Sequence, residues 1–164
     1  MIEKIDFDKK KIIGRRSARL AIVQALYQMN FTGKNAAYVI NEFKNYRFVK
    51  SDQEDFYSQI DFDFFSFILK GNEISKKEID SHIANILDKD WNLKRINQIS
   101  YAILRAGAFE FLECPDIPTK VIISEYVDIA HDFFDDKEIG FVNGVLDNLA
   151  QMLRSKDTSK KKIH

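Results

Sequence analysis

One cysteine, two prolines and six glycines are all that 164 residues hold of the types that staple, kink or turn a chain. A lone Cys114 excludes an internal disulfide framework and any cysteine-rich zinc site, and it suits a reducing compartment. So little proline and glycine excludes an all-β sandwich, which needs a turn signal about every ten residues. No apolar run approaches the ~20 residues that span a bilayer, and residues 1–20 lack the apolar stretch of a secretory signal. The expectation is a cytoplasmic protein with no membrane partner. Neither a P-loop nor a GxGxxG pattern occurs. His82, His131 and His164 are scattered, and none belongs to an HExxH or stands beside Cys114 or a serine elbow. Glu113 and Asp116 near Cys114 disfavour a thiolate. No catalytic residue, metal or cofactor is therefore expected, and the chain reads as a non-enzyme.

What is present is a globular balance, 45% hydrophobic and 30% charged, at a length that suits one domain of about 150 residues. Net charge is zero but unevenly spread. Residues 1–19 carry seven basic and three acidic side chains, and 154–164 carry five and one, so the body between them is acidic. Two basic ends suggest contact with a polyanion, nucleic acid among them.

The hydrophobic spacing is helical throughout. Residues 1–13 are polar and read as a flexible basic arm. A first helix runs from Gly14 to near Asn30, with Ala18, Ile22, Ala25 and Met29 on one stripe and Leu26 at its edge. A second covers 36–48, and 49–55 form a polar connection. The run 56–87 reads as one long helix with Gly71 inside it, before Asp90, Trp91 and Asn92 interrupt the pattern. A helix over 96–112 is followed by a boundary at Cys114–Pro118, where Asp116 suits an N-cap and Pro118 a first turn. A helix over 119–134, an acidic loop 135–138 and a helix over 139–154 complete a domain spanning 14–153. The tail 154–164 reads as a disordered basic segment. The fold class is all-α, a compact domain of about six to seven helices. Fourteen phenylalanines exceed what such a core needs, so aromatic surface should remain for a partner, a second copy of the chain included.

The segment that local stability does not explain is Gly14-Arg15-Arg16-Ser17-Ala18-Arg19. Cations in a first helical turn oppose the helix dipole. On the wheel Arg15 and Arg19 fall one turn apart on the shoulder of the apolar stripe. Arg16 points away from that stripe, in the direction also taken by Leu20, Val23 and Tyr27. Guanidiniums that neutralise phosphates, beside a ring on which an unstacked base can lie, suit single-stranded RNA. The competing reading is a solvated helix face with Tyr27 packed on a neighbour. Asn143 and Gly144 read as structural, the amide satisfying backbone groups and the glycine admitting a close helix. Arg105 and Glu110 read as an internal polar network.

Three stretches carry a resemblance: RRSARLAIVQALYQMN at 15–30, ILRAGAFEFLECPDIPTKVIISEYVDIAHDFF at 103–134 and FVNGVLDNLA at 141–150. Together and in this order they resemble the NusB family of bacterial transcription antitermination factors, over roughly residues 14–153. The resemblance implies two three-helix subdomains and no enzymatic activity. It implies binding of the single-stranded boxA element of rRNA leader transcripts together with NusE, a small-subunit ribosomal protein, in an antitermination complex on RNA polymerase. On matching positions Arg15, Arg16, Arg19 and Tyr27 would belong to the RNA surface. Phe133 and Phe141 would add aromatic faces, and Lys120 a phosphate contact. The chain departs from the family's pattern at Ser17, where another basic residue is frequent, and at the acidic loop. The alternative is a helical protein-interaction or dimerisation module with weak or no RNA binding.

Overall fold

The structure, a computed structural model, describes residues 2–48, 60–88 and 92–161, with side chains described over 9–48, 60–88 and 92–154. The chain divides into two compact units, Met1–Glu73 and Ile74–His164. Seven α-helices and no strand occur among the described residues, so the fold is all-α. No helix there is long and apolar enough to cross a membrane.

The first unit is built on α1 (Ile2–Thr32), α2 (Ala36–Glu42) and α3 (Phe62–Ile74). The apolar stripe of α1 is where its spacing places it: Ala18, Ile22, Ala25, Leu26 and Met29 are all buried. Its start differs from the expectation. Residues 2–13 continue the helix instead of forming an irregular arm, because neither proline nor glycine interrupts them. Gly33 ends α1 at φ +74°, a left-handed conformation that glycine adopts without strain. Two acceptors then start α2: Asn35 Oδ1 takes the Tyr38 N–H at 2.8 Å and Glu73 Oε2 takes the Ala36 N–H at 2.6 Å. A π-turn, Phe43–Arg47, follows α2 directly. Residues five apart would lie about 140° apart around an α-helix. The wider turn brings Phe43 and Phe48 together instead, at 5.6 Å between centroids, and both rings pack on Phe65 at 5.3 Å.

The connection 49–55 and the first residues of the expected long helix lie outside the described residues. Asp61 sets the observed start of α3, accepting the Phe64 N–H at 3.0 Å as an N-cap does. The long helix is also broken, at Ser75 and not at Gly71, which stays inside α3. Serine competes for backbone hydrogen bonds and favours turns over helix interiors. The break leaves α4 (Lys76–Ile86) in the second unit, which carries four α-helices where three were expected.

A short 3-10 turn, Leu93–Arg95, is capped by Asn92, and Asn97 caps the helix that follows. That helix, α5 (Gln98–Glu113), is buried at every position from Ser100 to Phe111 and packs on α4, α6 (Thr119–Phe133) and α7 (Asp136–Lys161). A helix buried all round needs internal partners for its polar side chains, and three side chains of α5 have them, while Arg105 Nε is buried with no hydrogen-bond partner. Ser100 Oγ donates to Glu138 at 2.5 Å, Tyr101 donates to Asp80, and Glu110 accepts from Tyr126. The Tyr101 hydroxyl is pushed far above its ordinary range, first by burial and then by the bond to Asp80. Burial lowers the Arg105 guanidinium, which lies 5.4 Å from the Tyr101 ring. The expected internal network at Arg105 and Glu110 is therefore two arrangements, one on Tyr101 and one on Tyr126.

Arg154, read as the start of a loose tail, clamps the end of α5. Its guanidinium donates to the carbonyls of Glu110, Phe111, Cys114 and Ile117 and to Thr119 Oγ1, at 2.7–3.2 Å. The Glu110 and Cys114 carbonyls also accept backbone N–H groups, from Cys114 and Ile117, so the guanidinium reinforces the end of α5 and the turn beyond it. With that turn held, α6 starts at Thr119 with Pro118 at the cap, and Asp116 is not the N-cap. The acidic loop is largely the first turn of α7, where Asp136 and Glu138 oppose the helix dipole favourably. The backbone of α7 runs on to Lys161, so residues 154–161 are helical and not irregular.

Gly107 is the position where a close approach forbids a side chain: a Cβ there would meet Leu146 Cδ2 at 2.7 Å. Gly144 has the opposite surroundings, exposed with nothing within 4 Å of a Cβ, and its neighbour Asn143 is exposed too. The expectation of a close helix at Gly144 is thus corrected. Gly144→Ala should raise the melting temperature, since alanine gains about 0.5–1 kcal/mol over glycine in a helix. Gly107→Val should lower it through about 1–3 kcal/mol of overpacking. Thermal unfolding followed by circular dichroism checks both signs.

Candidate nucleic-acid interface

The arginine cluster at 15–19 does not present three equivalent cations. Arg19 is only 3% exposed, and its guanidinium lies 5.3 Å from the centroid of the Phe64 ring. Arg15 reaches the same ring, at 5.0 Å, and its Nε stands 3.7 Å from Asp61 Oδ2. Asp61 is tied to α1 a second time, its N–H donating to the Gly14 carbonyl at 3.1 Å. Two guanidiniums on one aromatic ring, beside the carboxylate that caps α3, thus fix α3 to α1. Desolvated cation–π contacts of this kind are worth up to about 2 kcal/mol. Arg16, one position on from Arg15, is exposed.

This corrects the expectation for Arg19. The shoulder of the apolar stripe is already inside the unit, so a guanidinium there packs on Phe64 and offers no surface to a phosphate. Arg15 is packed in the same way but keeps a third of its side chain exposed. Only Arg16 keeps the outward position that its wheel angle predicts.

Tyr27 is 41% exposed and lies about 16 Å along α1 from Arg16 at 1.5 Å per residue. The surface between them is not continuous. Val23, expected to point outward, is buried, and Leu20 is half-buried. From Arg16 onward the exposed parts of α1 are therefore Arg16 itself and, separately, the segment from Tyr27 to the helix end. In that segment the Phe31 ring is nearly parallel to Tyr27, with 9° between planes and 6.3 Å between centroids. Phe31 was missed in the sequence because it stands beyond the apolar periodicity and next to a helix stop. Its signal is an aromatic four residues after another on one helix.

In the second unit Lys120 is exposed in the first turn of α6 and Phe133 is exposed at its last residue. Those two lie about 20 Å apart along the helix, so α6 does not bring them together. Phe133 tilts against Phe134 at 6.4 Å. Phe141 is half-buried in the second turn of α7. No group of three His, Cys, Asp or Glu that could hold a metal ion occurs among the described residues. Cys114 is buried.

The NusB family model matches residues 16–151. The chain belongs to the NusB family. A transcription antitermination protein NusB of Caulobacter vibrioides is 42% identical over 144 residues, covering 88% of this chain and 97% of that one. One of the same name from Rhodopseudomonas palustris is 40% identical over 152 residues, covering 93% and 87%. Among solved structures, T. maritima NusB superposes with a TM-score of 0.67 at 27% identity, covering 83% of this chain and 89% of that chain. The NusB relatives are antitermination factors and not enzymes.

Splitting the arginines into packed and displayed ones predicts unequal stability effects. Arg19→Ala should cost about 1–2 kcal/mol, which in a chain of this size lowers the melting temperature by about 3–6 °C. Arg16→Ala should leave it within about 0.5 kcal/mol of the parent. Chemical denaturation of the two variants side by side measures the difference.

Proposed function

We propose that this chain binds the single-stranded boxA element of rRNA operon leaders together with NusE, the small-subunit ribosomal protein, and so helps RNA polymerase resist premature termination in the cytoplasm. Membership of the NusB family carries the antitermination role. The observation that supports the RNA part is the pair of exposed groups on α1, the Arg16 guanidinium and the Tyr27 ring. A guanidinium neutralises a phosphate, and a half-exposed phenol ring offers an unpaired base a face on which to stack. No covalent chemistry is required; the protein works by affinity and positioning.

Arg15 contributes from its exposed third. Lys120, Phe133 and Phe141 are the candidate contributors of the second unit, Lys120 through its charge and the two rings by stacking. Arg19 serves the RNA surface indirectly, by keeping α1 and α3 in place through Phe64.

A second reading has one observation of its own. Phe67 on α3 is half exposed, and an apolar ring left in solvent suits a protein partner or a second copy of the chain.

Binding of a short boxA RNA, measured by fluorescence anisotropy across a salt series, separates the readings. Each phosphate neutralised on a single strand contributes a slope of about −0.7 in log K against log salt. Arg16→Ala should weaken binding and flatten the slope by roughly that amount. Tyr27→Ala should cost about 1–3 kcal/mol at every salt concentration. Affinity indifferent to both substitutions would overturn the RNA reading and leave the partner-binding one.

A further inference from the structure

The corner where α1 ends displays three aromatic rings, Tyr27, Phe31 and Tyr38, and the ammonium group of Lys34. Phe31, in its last turn, is 81% exposed, an unusual position for the most apolar of aromatic side chains. Its ring lies within 9° of parallel to that of Tyr27, one turn earlier. One residue past Gly33, the Lys34 ammonium stands 5.0 Å from the ring of Tyr38, itself 52% exposed. The carboxylates of this corner are engaged within the unit, Glu42 by the Gln28 amide at 3.1 Å and Glu73 by the Ala36 N–H at 2.6 Å.

Nothing in the packing of the first unit accounts for Phe31. It contributes little to the core, and its cost in water is that of an unburied phenyl ring. Two near-parallel rings on successive turns, followed by a cation, are the parts from which a sequence-tolerant single-strand platform is made: π-faces for neighbouring bases and a charge for the backbone between them. A protein partner would be served as well by any apolar group at 31, whereas a base requires a ring.

We propose that Phe31 extends the RNA surface one turn past Tyr27, stacking the base next to the one on Tyr27, with Lys34 on the intervening phosphate. The inference rests on the RNA reading above and names a contact that the reading itself does not need.

The test uses the full-length protein and the same boxA oligoribonucleotide. Phe31→Ala should fold with an unchanged melting temperature and bind the RNA about 5- to 100-fold more weakly. Phe31→Trp should retain the affinity of the parent, and Phe31→Leu should behave like Phe31→Ala. Lys34→Gln should reduce the salt dependence by one phosphate's share, a slope change of about 0.7. If Phe31→Ala binds as the parent does while Arg16→Ala and Tyr27→Ala bind weakly, the extension is wrong and the RNA reading stands. If none of these variants loses affinity, both are wrong. If Phe31→Leu binds RNA and purified NusE as the parent does but Phe31→Ala loses NusE, the corner is a protein-docking surface and the proposal is overturned.

Discussion

The first unit depends on what happens at Phe64. A phenyl ring on α3 takes the guanidiniums of Arg15 and Arg19 from α1. Asp61, just before α3, joins the two segments through its own N–H and its carboxylate. That contact gives Arg15 and Arg19, well inside α1, an internal acceptor of electron density or charge. It also sets the direction in which Arg16 points. A helix whose shoulder is pinned by Arg15 and Arg19 must turn Arg16 away from the same neighbour. The position of the exposed charge is set by the packing of the buried one.

The second unit solves another problem, the burial of a whole helix. Apolar residues alone would leave the side chains of Ser100, Tyr101 and Glu110 without partners. Glu138, Asp80 and Tyr126 supply them, and Arg154 adds donors at the carbonyls where α5 ends. Arg154 has the widest reach, since its planar fork meets carbonyls of the helix end and of the following turn at once.

Much of this was legible in the residues. The stripe Ala18, Ile22, Ala25, Met29 needs only a period of 3.6, and it is buried as that period requires. The stop at Gly33 and the start at Thr119 follow from turn chemistry. The break at Ser75 was not legible, because the apolar spacing from Phe64 to Ile83 runs through it without a change of phase. The acidic residues 135–138 were read as a loop because charge density resembles solvated chain. The same charges at a helix N-terminus are a start signal. At the candidate site, wheel angles placed Arg16 outward and Arg15 and Arg19 on the shoulder of the apolar stripe, as the structure has them. They could not show that the shoulder carrying Arg19 meets an aromatic ring on α3, nor that Val23 is covered. Arg154 and Phe31 were missed for a shared reason: both stand where the periodic signal fades and composition suggests loose chain.

The claim that most needs a direct reading is the division of labour within the arginine cluster. Nitrogen-15 spectra of the arginine Nε–H groups, recorded while boxA RNA is titrated in, report each guanidinium separately. The account predicts an Arg16 signal that shifts with RNA and an Arg19 signal that is already protected from exchange and does not move. A moving Arg19 signal beside an unmoved Arg16 would contradict it.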